Sequence, residues 1–287
     1  MLQLIKNVES VEVEEVKNLF AWDVVENPIY LGNGQRVQNH KAISRSDNGA
    51  VLNVCKDSYT PTTNEQFSEF VYNLSKITGY ELAKFQEFQD GAKVIAFLDA
   101  PETFLNGWKF QNLLAVGNAH DSSKAFFVAN TSVMIRCTNQ FTKLSNNADM
   151  KAFHTTGNAG QLRQIERSIH QYGHQQKALN QNFERLNSQP ATEERLEDFL
   201  RHMFDLENDF SFEAEENKVS SRKSNQIIDL VEAIEIEAND LGQTDFALFN
   251  GVTRWTTHTR NQKQKTFGNI FGTNAQLNDK ALNFLLN

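Results

Sequence analysis

Residues 41–77 decide the fold class, and they read KAISRSDNGAVLNVCKDSYTPTTNEQFSEFVYNLSKI. The segments on either side of Asn48-Gly49 are strand-like, and an Asn-Gly pair favours the tight turn of a β-hairpin because both residues tolerate positive φ. Thr63 and Gln66 have the spacing of a capping box, which marks the start of a helix. Apolar residues follow at helical spacing and predict an amphipathic helix over 64–77. The stretch therefore predicts a hairpin followed by a helix.

Outside this stretch the chain divides into a strand-rich half and a helical half. Five more strands are predicted, over 81–88, 92–98, 109–117, 124–129 and 132–137. Apolar residues at helical spacing predict helices over 159–187 and 224–241, with a third beginning after Thr192. We predict an α+β protein, with an antiparallel sheet and a packed helix in the N-terminal half and a helical C-terminal half. We expect a core domain over 1–150 and a helical region over 151–287, packed on the core.

Composition excludes several classes of protein. The 287 residues are 39% hydrophobic and 22% charged, which is ordinary for a globular chain. The longest apolar runs have four or five residues, whereas a membrane helix needs about 20. Two cysteines make neither a disulfide framework nor a zinc cage, and the N-terminus turns acidic without the apolar run of a signal peptide. We expect a cytoplasmic protein with no membrane partner, no metal and no cofactor.

Charge is spread unevenly along the chain. The net charge is −8, and the segment 193–217 holds ten acids against two bases. The segment 251–287 holds five bases against one acid. One interpretation is an acidic solvated helix and a basic surface tail. In the other, the basic segment binds an anion or the acidic helix of a neighbouring subunit.

Two polar stretches have residue types suited to chemistry. Residues 118–125, NAHDSSKA, stand where two strands meet, and His120 beside Asp121 could be a base and its orienting carboxylate. The alternative is a turn whose side chains bond their own backbone. Arg136 follows an apolar strand, where an arginine pairs either with a bound phosphate or with a structural carboxylate.

A basic-aromatic stretch lies near the C-terminus. Arg254, Trp255, His258 and Arg260 stand close together in the sequence. Aromatic rings among bases can stack on unpaired nucleobases while the cations contact phosphates. The alternative is a buried tryptophan with charged residues on the opposite face of a helix.

Taken in order, several short motifs resemble the DUF932 family of phage- and plasmid-associated proteins, from about residue 22 to 285. The matching positions are Ala42-Ile43-Ser44-Arg45, Asp47, Gly49, Tyr59-Thr60-Pro61, Asn64, Asn118-Ala119-His120-Asp121-Ser122, Lys124-Ala125, Arg136-Cys137-Thr138-Asn139, His154-Thr155, Gly251-Val252-Thr253 and His258. The chain departs from the family pattern at Ser122, where the family has glycine, and at Gln140, where it has threonine.

The resemblance implies a mobile-element protein working in a host cytoplasm, and it supplies no catalytic residues. It also implies a polar pocket. The pocket residues are Asn118, His120, Asp121, Lys124 and His154. The order of hairpin, helix and further strands is similar to the core of Rad52-type annealing proteins, which is an analogy of fold alone.

Three functions remain open. The first is binding, and possibly annealing, of single-stranded DNA by a homo-oligomer. Its candidate residues are Arg45, Lys56, Arg136, Asn139, Arg254, Trp255, His258, Arg260, Lys263 and Lys265. The second is inhibition of a host defence or restriction enzyme by the acidic helix 193–216. The third, which we favour least, is an enzyme with His120, Asp121, Arg136 and Asn139 in one pocket.

Overall fold

The computed structural model describes residues 19–105, 107–134, 140–142, 150–169, 172–207, 210, 219–260 and 272–287. The strands are β1 (Val24–Tyr30), β2 (Arg36–Arg45), β3 (Val51–Lys56), β4 (Leu82–Phe88), β5 (Lys93–Leu105), β6 (Trp108–Ala119), β7 (Phe126–Met134), β8 (Gln140–Thr142) and β9 (Met150–Ala152). The helices are α1 (Asn64–Thr78), α2 (Asn158–Ser168), α3 (Tyr172–Ser188), α4 (Glu193–Met203), α5 (Ser221–Leu241), α6 (Asp245–Arg254), a π-helical turn (Trp255–Thr259) and α7 (Thr273–Leu286). This arrangement confirms the predicted α+β class.

The chain divides into two compact units. Described residues within Met1–Pro101, Asn112–Thr131 and Ser145–Gly173 belong to unit 1. Described residues within Glu102–Gln111, Ser132–Leu144 and His174–Asn287 belong to unit 2. The predicted domains, 1–150 and 151–287, stay a prediction.

Unit 1 contains a three-stranded antiparallel sheet in the order β1-β2-β3. Gly49 adopts a φ of 73° between β2 and β3, as the predicted hairpin requires. The sequence patterns did not predict β1, because its residues VVENPIY alternate poorly and bury only Val24 fully. One face of this sheet contributes Val24 and Ile43 to a small core with Trp22.

Helix α1 and the second sheet form the main core of unit 1. The capping box of Thr63 and Gln66 is present, and Gly79 ends the helix with a φ of 72°. The buried face of α1 includes Phe70, whose ring meets that of Phe126 edge-on at 4.8 Å. The second sheet has the order β4-β5-β6-β7-β8, with β9 beside β7. The strands predicted over 124–129 and 132–137 form one described strand, β7, which continues through Asn130 and Thr131.

Unit 2 is built mainly from helices. The helix predicted over 159–187 corresponds to two described helices, α2, which belongs to unit 1, and α3, which has Gly173 as its second residue and lies mostly in unit 2. Helix α5 begins three residues earlier than predicted because Ser220 caps it. Helix α6 lacked a sequence pattern because nearly all its residues are buried, so polar and apolar faces do not alternate. Among the described residues, we find no helix with both the length and the apolar character to span a membrane.

Two glycines in helices have opposite surroundings and give a matched test of the packing. A methyl group at Gly251 of α6 would lie 2.8 Å from Cα of Ile234 on α5, whereas the space around Gly160 of α2 is open. We expect Gly251→Ala to lower the free energy of unfolding by about 1–3 kcal/mol through overpacking. We expect Gly160→Ala to raise it by about 0.5–1 kcal/mol through helix propensity. Urea denaturation measures both, and equal effects would contradict the close packing of α5 on α6.

Candidate functional site

The connector between β3 and α1 is held by backbone and side-chain hydrogen bonds to three other parts of unit 1. The backbone N–H of Thr60 donates to the carbonyl of His154 at 3.0 Å. The Nδ2 group of Asn118 donates to the carbonyl of Thr62 at 3.2 Å. The Nδ2 group of Asn158 donates to the Thr62 hydroxyl at 2.6 Å. We call this arrangement, together with His120 and Asn64 at the end of the connector, the connector clamp.

His120 is the most deeply buried ionisable group of the clamp. Its side chain is 0% exposed, and its Nε2 lies 2.9 Å from Oδ1 of Asn64. Nδ2 of Asn64 donates to the carbonyl of Trp22, so Oδ1 is an acceptor and His120 carries its proton on Nε2. Burial, with a smaller contribution from His154, lowers the pKa of His120 to about 3. His120 is therefore neutral at ordinary pH and serves as a donor to α1.

His154 has the same tautomer for a similar reason. Its Nε2 lies 3.2 Å from the carbonyl oxygen of Lys124, which can only accept. Its ring packs against that of Tyr59 at 5.1 Å, and the Tyr59 hydroxyl reaches the carbonyl of His120 at 3.4 Å. Burial lowers the pKa of His154 as well. Both imidazoles thus join the ends of β6 and β7 to the connector as neutral groups.

Four buried atoms of the clamp have no hydrogen-bond partner among the residues that the structure describes. They are Nδ1 of His120, Nδ1 of His154, Oδ1 of Asn118 and Oδ1 of Asn158. Because the opposite atom of each side chain donates, all four are acceptors. A general base needs a pKa near the working pH and contact with its substrate, and the pKa and burial of His120 meet neither condition. The clamp is a structural network rather than an acid–base site.

Asp121 points to a different partner from its neighbour His120. Its carboxylate pairs with the ammonium of Lys93, and Lys93 also donates to Gln89 at 2.7 Å. Burial raises the pKa of Asp121, but the hydrogen bonds from Lys93 and Ser123 outweigh it, so the pKa lies below its ordinary value. Asp121 therefore does not orient His120 as a catalytic carboxylate would.

Arg45 is fully engaged within unit 1. Its guanidinium donates to both carboxylate oxygens of Asp47, at 2.9 and 2.7 Å, and to the carbonyl of Asp90 at 2.9 Å. The same group lies 4.0 Å above the ring of Trp22. The hydrogen bond to Asp47 raises the pKa of Arg45. The N–H donors of its guanidinium are thus used in a structural ion pair, so few of them remain for a phosphate.

The chain matches the family model described as "Domain of unknown function (DUF932)" over residues 51–282. The chain belongs to the DUF932 family. The match confirms the resemblance drawn from the sequence motifs. No curated protein and no solved structure matches the chain.

In this DUF932 protein the clamp collects polar residues that are far apart in the sequence. The structure brings together Asn118, His120 and His154 from the predicted pocket, while Lys124 contributes only its carbonyl. Sequence reasoning missed Thr62 and Asn158, which are isolated polar residues without any motif of their own. Arg136 and Asn139 lie outside the described residues, so their meeting with His120 stays a prediction.

Trp255 of the basic-aromatic stretch is buried, as the alternative interpretation expects, but Arg260 lies over its ring rather than on the opposite face of a helix. Trp255 is 2% exposed, so its ring faces are occupied by the core of unit 2 and not open to a nucleobase. Arg254 pairs with the buried carboxylate of Glu237 at 3.1 Å. Arg260 lies 5.2 Å above the Trp255 ring, and His258 is half-buried. Lys263 and Lys265 lie outside the described residues.

Part of the negative charge of the acidic helix α4 is neutralised by an arginine of the same helix. Arg201 of α4 pairs with Asp198 at 2.8 Å and with Glu197 at 2.5 Å. Glu193 and Glu194 are exposed and occupy the first turn of α4, where negative charge stabilises the helix dipole. Inhibition of a host enzyme through this helix stays a prediction.

The two buried histidines predict how stability depends on pH. Each is neutral in the folded protein, whereas in the unfolded chain each takes up a proton below its ordinary pKa of about 6.5. The contribution of these histidines to the free energy of unfolding is therefore fully present above about pH 6.5. It is lost as the pH falls toward about 3, the folded-state pKa of His120.

Urea denaturation between pH 7 and about 5.5, above the range where carboxylates titrate strongly, measures this slope. His120→Gln removes one of the two titrating groups, so we expect a shallower slope than in the unmodified protein. An unchanged slope would show that the acid sensitivity arises elsewhere.

Proposed function

We propose that this protein binds single-stranded DNA through the free end of the β1–β2 hairpin, in phage or plasmid DNA metabolism. One observation carries the proposal. Tyr30, the last residue of β1, is 59% exposed and lies directly opposite Arg36, the first residue of β2. An exposed ring and an exposed guanidinium are thus adjacent at one end of a hairpin.

The hairpin end is an ordered structure with an apolar tip. Leu31 follows Tyr30 and is 53% exposed. Its N–H donates to the carbonyl of Gln35 at 2.8 Å and its carbonyl accepts from Gly34 at 2.8 Å, which closes the loop. The side chain of Asn33 accepts from the Gln35 N–H at 3.0 Å. A closed loop fixes the backbone beside Tyr30, which lowers the entropic cost of binding.

The charges of the sheet favour an anion at this end. The only carboxylate within its strands, Glu26, is taken by Lys41 at 2.9 Å. Arg36 and Lys56 are exposed and carry no ion pair in the part of the chain that the structure describes. Lys56 was predicted to contact nucleic acid, and Arg36 was not. Both cations are therefore open to phosphate groups.

The chemistry favours unpaired bases over duplex DNA. A tyrosine ring stacks on the face of a base, and duplex bases hide those faces within the helix. The net charge of −8 repels a polyanion outside this local surface, so binding should weaken steeply with salt. Assembly as a homo-oligomer, which we also propose, would place several hairpin ends along one strand.

Fluorescence anisotropy of a labelled oligothymidylate, at low and at physiological salt, tests the proposal. We expect Tyr30→Ala to lose about 1–3 kcal/mol of binding free energy, which is roughly five- to 150-fold in affinity, because one base loses its stacking partner. Tyr30→Phe keeps the ring and should bind almost normally. Arg36→Ala should reduce the salt slope by about 0.7, which corresponds to one phosphate contact on a single strand.

Arg185→Ala is the control for loss of charge, since Arg185 is an exposed arginine on α3 without an ion pair among the described residues. It should leave affinity unchanged. The proposal fails if the protein does not bind at low salt, or if Tyr30→Ala and Arg185→Ala bind equally well.

A further inference from the structure

We propose that two copies of this chain pair along strand β3, so that their three-stranded sheets join into one six-stranded antiparallel sheet. The sheet has the order β1-β2-β3, and β1 and β3 are therefore its two edges. The pairing gives an interface to the homo-oligomer proposed above, but it does not depend on DNA binding.

The outer edge of β3 has open backbone groups. Its inner edge pairs with β2. Beyond that ladder, the backbone of β3 makes one hydrogen bond in the described part of the chain, from the Tyr59 N–H to the Lys56 carbonyl at 3.0 Å, where the strand ends. An edge strand directs alternate N–H and C=O groups away from its neighbour, and these groups are satisfied by another extended strand. The open edge therefore specifies the chemistry of its partner.

The two edges of the sheet differ in their protection. Proteins commonly block an edge strand with proline or with charged side chains. Strand β1 contains both, because Pro28 has no N–H to donate and Glu26 carries an exposed carboxylate. Strand β3 has neither between Val51 and Cys55, and its one charge, Lys56, is its last residue. Pairing is thus favoured at β3 and opposed at β1.

Exposed valines extend from the β3 edge across one face of the sheet, which we call the valine face. Val54 is 61% exposed, Val51 is 62% exposed and Val25 is 40% exposed. Val54 lies opposite Ala42, while Val51 and Val25 both lie opposite Ser44. Directly opposite residues share a face, and so do Ala42 and Ser44, which are two residues apart on β2. Val54 therefore stands at the open edge of an apolar surface.

A second copy of β3 is a self-complementary partner. In an antiparallel pairing about Val54, this residue lies opposite its own equivalent, and Asn53 lies opposite Cys55. Each opposed pair then shares a face, so the valine faces of the two copies form one continuous surface. Strand β3 contains no acid, so two chains of net charge −8 meet there without opposing carboxylates.

The size of the contact sets the strength of the dimer. One pair of six-residue strands buries less area than the standard protein–protein interface of about 1,600 Å². We therefore expect a reversible dimer that dissociates on dilution.

Analytical ultracentrifugation of the full chain without DNA, over a wide range of concentration, tests the pairing. We expect a monomer–dimer equilibrium. Val54→Lys should weaken dimerisation about tenfold or more, because it removes the valine contact and places two like charges opposite each other. The thermal midpoint of the monomer checks that this exposed substitution retains the fold.

Val25→Lys is the matched control, since it places the same charge on the valine face at the other edge of the sheet. It should leave the dissociation constant unchanged. The proposal is wrong if the unmodified chain stays monomeric at every concentration. Equal weakening by Val25→Lys and Val54→Lys would also overturn it, because the valine faces would then pack on each other.

Oxidative crosslinking tests the register. Val54→Cys should form a disulfide-linked dimer, because directly opposite residues of paired strands lie within reach of a disulfide. Val25→Cys should not, and the unmodified chain, in which Cys55 lies opposite Asn53, controls for the native cysteines. Equal crosslinking of Val25→Cys and Val54→Cys would contradict pairing about Val54.

The DNA-binding proposal fails or stands separately. Tyr30→Ala leaves β3 unchanged and should remain dimeric, so loss of DNA binding in that variant concerns the hairpin end alone. A Val54→Lys monomer keeps Tyr30 and Arg36 and should still bind a short oligothymidylate.

Discussion

The clamping of the connector between β3 and α1 is the constraint on which unit 1 depends. The backbone and side chain of Thr62 are bonded by Asn118 and Asn158, and His120 bonds Asn64 in the first turn of α1. These bonds join the three-stranded sheet, helix α1 and the end of β6 in one buried network. Losing the partner of a buried polar group is costly, so the hydrogen bonds that this network does make favour one arrangement of these elements.

This network gives a structural role to the polar stretch 118–125, which the sequence had suggested as a catalytic site. His120 and Asp121 are neighbours in the sequence, but in the turn that follows β6 the two residues bond different partners, Asn64 and Lys93 respectively. The buried, neutral histidines act as hydrogen-bond donors in a scaffold. The DNA-binding surface that we propose therefore lies on exposed residues elsewhere, at the end of the β1–β2 hairpin.

Internal pairing decides which charges of this acidic protein remain open to a ligand. Arg45 is bonded to Asp47, Arg254 to Glu237, and Arg201 to two carboxylates of its own helix. The net charge of −8 therefore says little about local potential. Arg36 is a cation without a described carboxylate partner, and the DNA-binding proposal follows from that asymmetry.

The sequence by itself determined the local structure: the hairpin at Asn48-Gly49, the capping box at Thr63, the Thr192 cap and the α+β class, because turn and cap chemistry act over a few residues. Its motifs also identified the DUF932 family. Only the tertiary structure decided that Trp255 is buried, that Asp121 bonds Lys93 and not His120, and that Tyr30 stands exposed opposite Arg36. Those facts depend on pairing between residues distant in the chain. The buried helix α6 and the edge strand β1 were missed because neither alternates polar and apolar residues.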